Sequence, residues 1–298
     1  MKTLKFGIEI ETVGLGWAEL AAAIQRVVGG STQYIAGGIA VTAPDGRSWS
    51  VVRDGSLSGS VNGEIVSPIL SYTDLETLQN VVREVRKAGA RVDVSCGIHV
   101  HVGAESFDAR AVANLVKMMN KHELIIEKAL GVSESRLGRF CKRVDQAMMQ
   151  RLEAQRPRTL SEMNRVWYGQ ENHRPQRYDS SRYHALNLNS FFVRKTVEFR
   201  LFNGSLHAGE VKSYVQLCLA LASKAMKAKT TSGKKRAYTP ASGRYDMRVI
   251  LLGLGLIGGE FATARHHLTK RLDGSSSWKN GRPARRVAAP EAAAQATA

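Results

Sequence analysis

The sequence predicts an α+β fold with a mostly antiparallel sheet. Short alternating runs bounded by turn residues crowd the first third of the chain, and long amphipathic stripes fill the middle. A further pair of strand-like runs closes the pattern before the last helices, so strands and helices cluster instead of alternating as β-α-β units.

Residues 2–11 alternate as a strand. Residues 17–28 have helical spacing, with Leu20, Ile24, Val27 and Val28 on one stripe and Gly29-Gly30 as the stop. Runs 33–42 and 48–53 read as strands joined by the turn Ala43-Pro44-Asp45-Gly46. Asp54-Gly55-Ser56 is a turn and 61–67 another strand. Residues 73–88 form a helix on the stripe Leu75, Leu78, Val81, Val82 and Val85, closed by Gly89. Residues 92–102 read as a strand. Residues 108–130 are a long amphipathic helix, with Ser106 or Asp108 as N-cap and Gly131 at its end. An arginine-rich helix is expected over 133–157, then a loop with a short helix over 159–178. Runs 183–189 and 195–202 read as an antiparallel pair, and 210–226 as a helix. Residues 230–244 have breaker composition and are expected as a mobile loop, with 246–272 helical in part. One domain over 1–272 and a disordered basic, Ala-rich tail over 273–298 follow.

The chain has 298 residues and 43% hydrophobic content, enough for a substantial core. No apolar run is long enough to span a bilayer, and Met1-Lys2-Thr3-Leu4-Lys5 lacks the features of a signal peptide. Cys96, Cys141 and Cys218 form neither a zinc pattern nor a disulfide framework, so a cytoplasmic protein is expected. The net charge is +17, and three stretches account for the excess. Residues 136–158 hold seven basic against two acidic side chains, 224–248 eight against one, and 265–298 seven against two. Such segments suit a polyanion or nucleic acid, and equally a set of solvated faces.

Three strands carry ionisable pairs two positions apart: Glu9/Glu11, His99/His101 and Glu198/Arg200. Residues i and i+2 of a strand share a face. Each pair therefore projects together, while Ile8/Ile10, Ile98/Val100/Val102 and Val197/Phe199/Leu201 fill the other side. Singly, each pair is what the wet face of a half-buried sheet carries. Together they gather carboxylates, imidazoles and a guanidinium, with Gly7, Gly97 and Gly103 on the same faces leaving room for a ligand. Glu64 adds a fourth carboxylate. Carboxylates with imidazoles and no thiolate favour a hard ion, Mg²⁺ or Mn²⁺. Four glutamates exceed what one Mg²⁺ takes from protein, and two ions bridged by phosphates fit better. There is no P-loop, no Rossmann glycine motif and no G-x-S-x-G elbow.

The ordered set FGIEIET, DGSL, GEIVSP, CGIHVHV and TVEFRLFNGSL resembles the amidoligase family of the carboxylate–amine ligase superfamily, related to glutamine synthetase and glutamate–cysteine ligase. The resemblance covers residues 4–225. It implies a sheet curved into a glutamine-synthetase-like funnel, with ATP and Mg²⁺ on the concave face. By motif, Glu9, Glu11, Glu64, His99 and Glu198 are implied metal ligands, and Arg200 and Glu64 the catalytic candidates. His101 and Arg200 are implied at the nucleotide; Arg182, Tyr183 and Asn187 fall in the stretch before the E-x-R motif where the resemblance places ATP-site residues, which makes Arg182 and Asn187 further cofactor-binding candidates. The function implied is an ATP-dependent carbon–nitrogen ligase joining a carboxylate to an amine through an acyl phosphate, on a small amino acid, peptide or protein. Two alternatives stay open: a metal-dependent phosphate-ester hydrolase, and a nucleic-acid-binding or virion-associated protein with a degenerate site.

Overall fold

The computed structural model describes residues 1–282; the remainder of the expected tail, 283–298, lies outside the described residues. Eight strands form one open antiparallel sheet: β1 (Phe6–Val13), β2 (Ser31–Ile35), β3 (Gly38–Thr42), β4 (Ser48–Val52), β5 (Asn62–Val66), β6 (Gly97–Gly103), β7 (Leu186–Asn187) and β8 (Thr196–Asn203). Their spatial order is β2-β3-β4-β5-β1-β6-β8-β7, so the first strand of the chain lies inside the sheet. The architecture is α+β, a curved sheet flanked by helices, as the sequence predicts.

Alternation along the central strands separates core from site. Ile8, Ile10, Ile65, Ile98, Val100 and Val102 are fully buried on one face. Over that face pack α1 (Trp17–Val28), α2 (Leu75–Lys87), α3 (Ala109–Leu130) and α8 (Ala208–Lys227): α1 covers β3–β5, α8 covers β6, and α3 lies against α8 and β8. The α2 stripe Leu75, Leu78, Val81, Val82 and Val85 is buried as its spacing predicts. Asp108 caps α3 by accepting from the Ala111 N–H, and Gly131 ends it at φ 64°, a conformation that costs glycine nothing. Among the described residues the last helices are α9 (Gly243–Gly253) and α10 (Ala262–His267).

Four expectations change. Run 33–42 is two strands, because Ala36-Gly37 turns the chain back and Gly37 takes φ 78°. The single helix expected over 133–157 is α4 (Glu134–Arg139) and α5 (Gln146–Gln155). Between them the Lys142 N–H donates to the Tyr183 carbonyl and Ala185 N–H to the Lys142 carbonyl, a pairing that a continuous helix would forbid. Asp145 then caps α5 through the Ala147 N–H. The short helix expected within 159–178 is present as α6 (Leu160–Tyr168), started by a Thr159/Glu162 capping box. Strand 183–189 shrinks to β7, and a short helix, α7 (Asn189–Arg194), joins it to β8. Residues 230–244 begin as irregular chain laid along α3: Asn120 donates to the Gly233 carbonyl, and Arg236 N–H to that of Lys121. Asp273 and Ser276, at the start of the expected tail, accept bonds from Arg244 and Arg248.

Candidate active site

Register decides which ionisable groups meet. β1 lies between β5 and β6, with Glu11 opposite Glu64, Glu9 opposite His99, and Gly7 opposite His101. On the far side of β6, His101 faces Glu198. The β6–β8 register then slips by one residue, so Val100 pairs with Phe199 and Ile98 with Phe202. An unbroken register would set Leu201 opposite Ile98. The bulge gives that place to Phe202 and re-aims the Arg200 segment, as bulges beside functional sites do.

The result is one row of acids and imidazoles. His99 Nδ1 lies 3.0 Å from Glu9 Oε2 and 3.9 Å from Glu198 Oε1, and its Nε2 is 3.8 Å from Glu11 Oε1. His101 Nε2 is 3.3 Å from Glu9 Oε1 and 3.9 Å from Glu198 Oε1. The Arg200 guanidinium donates to Glu198 Oε1, and Asn187 Nδ2 donates to Oε2 at 2.6 Å. Three groups place their donor atoms within 4.8 Å of one another: Glu9/His101/Glu198, Glu9/Glu64/His99, and Glu11/Asp54/Glu64. Glu9 and Glu64 each belong to two, so the groups form a continuous chain. All five expected ligands lie in it.

The charges are unevenly balanced. Burial raises the Glu9 carboxyl, but hydrogen bonds from His101 and His99 outweigh it and hold Glu9 well below the carboxylate range. Glu198 is likewise lowered, burial being overcome by His101, Arg200 and His99. Burial depresses His101, yet Glu198 and Glu9 raise it above an ordinary histidine. For Glu64 the pull of Arg200 is outweighed. Burial, then repulsion from Glu9, Glu11 and Asp54, pushes it up to about 9. A group of carboxylates that cannot all ionise alone is what a divalent cation relieves. Among the described residues, Arg200 Nε is buried without a hydrogen-bond partner, whereas His101 Nε2 has Glu9 and Glu198 as its neighbours. The donor set therefore fits hard cations, and the unpaired Arg200 N–H, a donor on a positive group, fits an anionic oxygen beside them.

Above the row opens a cavity of about 580 Å³, walled by Glu9, Glu11, Glu64, Asp54, His99 and five arginines: Arg53, Arg136, Arg177, Arg182 and Arg200. Arg182 lies between the Tyr178 and Tyr183 rings, 5.3 and 5.6 Å from their centroids, and Arg200 is 5.9 Å from that of Tyr183. A second cavity of about 200 Å³ meets Glu9 and His101 from the other side, with Gly7, Gly103, Pro68 and Ile69 in its wall.

Three contributors are absent from the motif pairs. Asp54 follows β4 in the Asp54-Gly55-Ser56 turn, and its signal was the DGSL motif itself. Tyr183 lies in the stretch before the E-x-R motif, and the Lys142 pairing that anchors it there has no sequence signature. Arg136, on α4, is 3% exposed; one nitrogen donates to the Arg200 carbonyl at 3.1 Å and its Nε has no partner. The room expected for a ligand at Gly97 belongs to this side chain: a methyl group there would run into the Arg136 guanidinium.

A family model described as "Putative amidoligase enzyme" matches residues 2–222. The chain belongs to that family. No curated protein matches it. The matched span contains every strand and every site residue named above, so this member is read as a ligase, with carboxylate and amine groups as the partners such an enzyme joins. Among the described residues no helix is long and apolar enough to cross a membrane.

Proposed function

We propose that this amidoligase is an ATP-dependent carboxylate–amine ligase working through an acyl phosphate. The observation that carries the reading is the unbroken acid–imidazole row beneath an arginine-lined cavity. A carboxylate resists amines because oxide leaves poorly. Transfer of the γ-phosphoryl group to the acid, with ADP departing, supplies phosphate as a leaving group. The amine nitrogen then attacks the acyl carbon, phosphate leaves, and the amine gives up its proton.

Glu9, Glu11, Glu64, His99 and Glu198, joined by Asp54 and by His101 Nε2, would hold two or more Mg²⁺ (or Mn²⁺) ions. When bound, those ions supply charge neutralisation for the nucleotide phosphates. The residues' own part is orientation. Asn187 and Arg200 fix both oxygens of Glu198. Arg200, planar and always charged, faces the transferred group. Glu64, the further catalytic candidate, takes up the amine's proton only from its ionised form, which a bound cation favours. The apolar wall at Pro68 and Ile69 suits a nucleobase near His101, which leaves the 580 Å³ cavity, with Arg182 at its rim, for the acid.

The test is ADP release from Mg·ATP by purified protein, across a panel of acids and amines. Release is expected to require both, and Glu9→Gln to reduce it about 100-fold or more. Phosphate release from simple phosphate esters without ATP would replace this reading with a hydrolase. Polyanion binding with no ADP under any condition would leave a binding protein.

A further inference from the structure

The largest cavity among those described shares no residue with the site above. It holds about 890 Å³ between α3, α5 and the irregular chain after α8, and its wall carries Arg110, Lys117, Arg156, Lys229, Lys234 and Lys235. Glu153 in the wall lies 3.3 Å from Lys117, and Asp108 lies 3.3 Å from Arg110. The wall is built by specific bonds. Asn114, buried in α3, donates to the carbonyls of Ala225 and Ala228, and Asn120 to that of Gly233. Lys235 pairs with buried Glu123 at 2.7 Å. Gly233 lies so close to α5 that a methyl group there would meet Met149 and Glu153. Arg156 ends α5 at φ 45°, a conformation disfavoured for a side-chain-bearing residue, and still contributes its guanidinium to the wall. Lys229, Lys234 and Lys235 lie beyond residue 222, outside the family match.

We propose that this cavity is a docking site for an acidic, Asp/Glu-rich polypeptide segment, separate from the catalytic cavity. Excess positive charge on a concave wall attracts and concentrates carboxylates. Gln150 beside the lysines offers an amide to a peptide backbone, while the Gln146 Nε2 is held by Asn120 and the Val144 carbonyl. Single-stranded nucleic acid is the poorer fit, because such sites stack bases on aromatic rings and this wall has none. The proposal does not depend on the ligase chemistry.

The experiment measures fluorescence anisotropy of labelled poly-L-glutamate and of a labelled single-stranded DNA, each over a salt series, on the full chain. One variant combines Arg156→Asn, which keeps a residue tolerant of positive φ, with Lys229→Glu and Lys234→Glu. A control of equal charge change combines Arg83→Gln, Arg86→Glu and Lys87→Glu on the last turns of α2. Cavity substitutions are expected to weaken poly-L-glutamate binding about tenfold or more and to flatten its salt dependence, with the control within about twofold of wild type. Equal losses in both variants, or no binding by the wild-type chain, would overturn the site. DNA binding tighter than poly-L-glutamate and lost in the cavity variant would overturn the choice of ligand. Mg·ATP binding by the same variants reports the catalytic cavity independently and is expected unchanged.

Discussion

Arg200 holds its place through shape as much as charge. It is 4% exposed, its guanidinium donates to Glu198, and it sits near the Tyr183 ring. Arg200→Lys keeps the charge but loses the planar fork, so ADP formation is expected to fall about 100-fold with the fold intact by circular dichroism. Wild-type turnover would remove Arg200 from the reaction. Gly97 and Arg136 make a second residue-scale case. Gly97→Ala is expected to cost about 1–3 kcal/mol in urea unfolding, through overpacking against the guanidinium. Combining it with Arg136→Ala should recover most of that cost, whereas simple additivity would mean that something else fills the space. Gly97 was legible in the sequence as a position needing room. Its occupant was not, because Arg136 arrives from a helix whose placement depends on long-range pairing.

At the scale of elements, local rules found what is locally determined. The α2 stripe, the Asp108 cap and the strand pairs at Glu9, His99 and Glu198 stand as their spacing predicts, since period and capping are properties of the segment itself. The break between α4 and α5, the shrinking of β7 and the β8 bulge were not legible. The first and the last are imposed by partners distant in sequence: Tyr183 for Lys142, and β6 for β8. Helix α8 offers a further test. Glu210 in its first turn accepts from Ser205 and lies 2.5 Å from Lys270, tying the helix start to the segment after α10. Burial raises this carboxyl, but Lys270 and Ser205 outweigh it and bring it to about 2. The folded value lies below the unfolded one of about 4.3, so the stabilisation is complete above that pH and is lost as pH falls toward 2. Glu210→Gln should therefore lower Tm at neutral pH and make little difference near pH 2. An equal loss at both would show that the pairing contributes nothing.

For the whole molecule, the uncompensated acid row should act as a stability switch. Divalent ions that bind only the folded chain stabilise it by mass action, about 2.7 kcal/mol at a hundred times Kd. Adding Mg²⁺ is expected to raise Tm of the wild-type protein, more at pH 8 than at pH 5, since Glu64 holds its proton up to about pH 9 without a cation and must release it to bind one. Glu9→Gln should shrink the rise; a chelator should abolish it. Identical Tm with and without Mg²⁺ at saturating concentration would exclude the cation row. The order of strands carries another implication, for synthesis on the ribosome. β1 emerges first but pairs with β5 and β6, and β6 must then wait for β8. Between the emergence of Gly103 and that of Thr196, a nascent chain has its histidine strand β6 with one edge unpaired. Such late, non-local closure slows folding and exposes a sticky edge, so this protein is one whose yield should depend on translation speed and chaperone supply more than on its final stability.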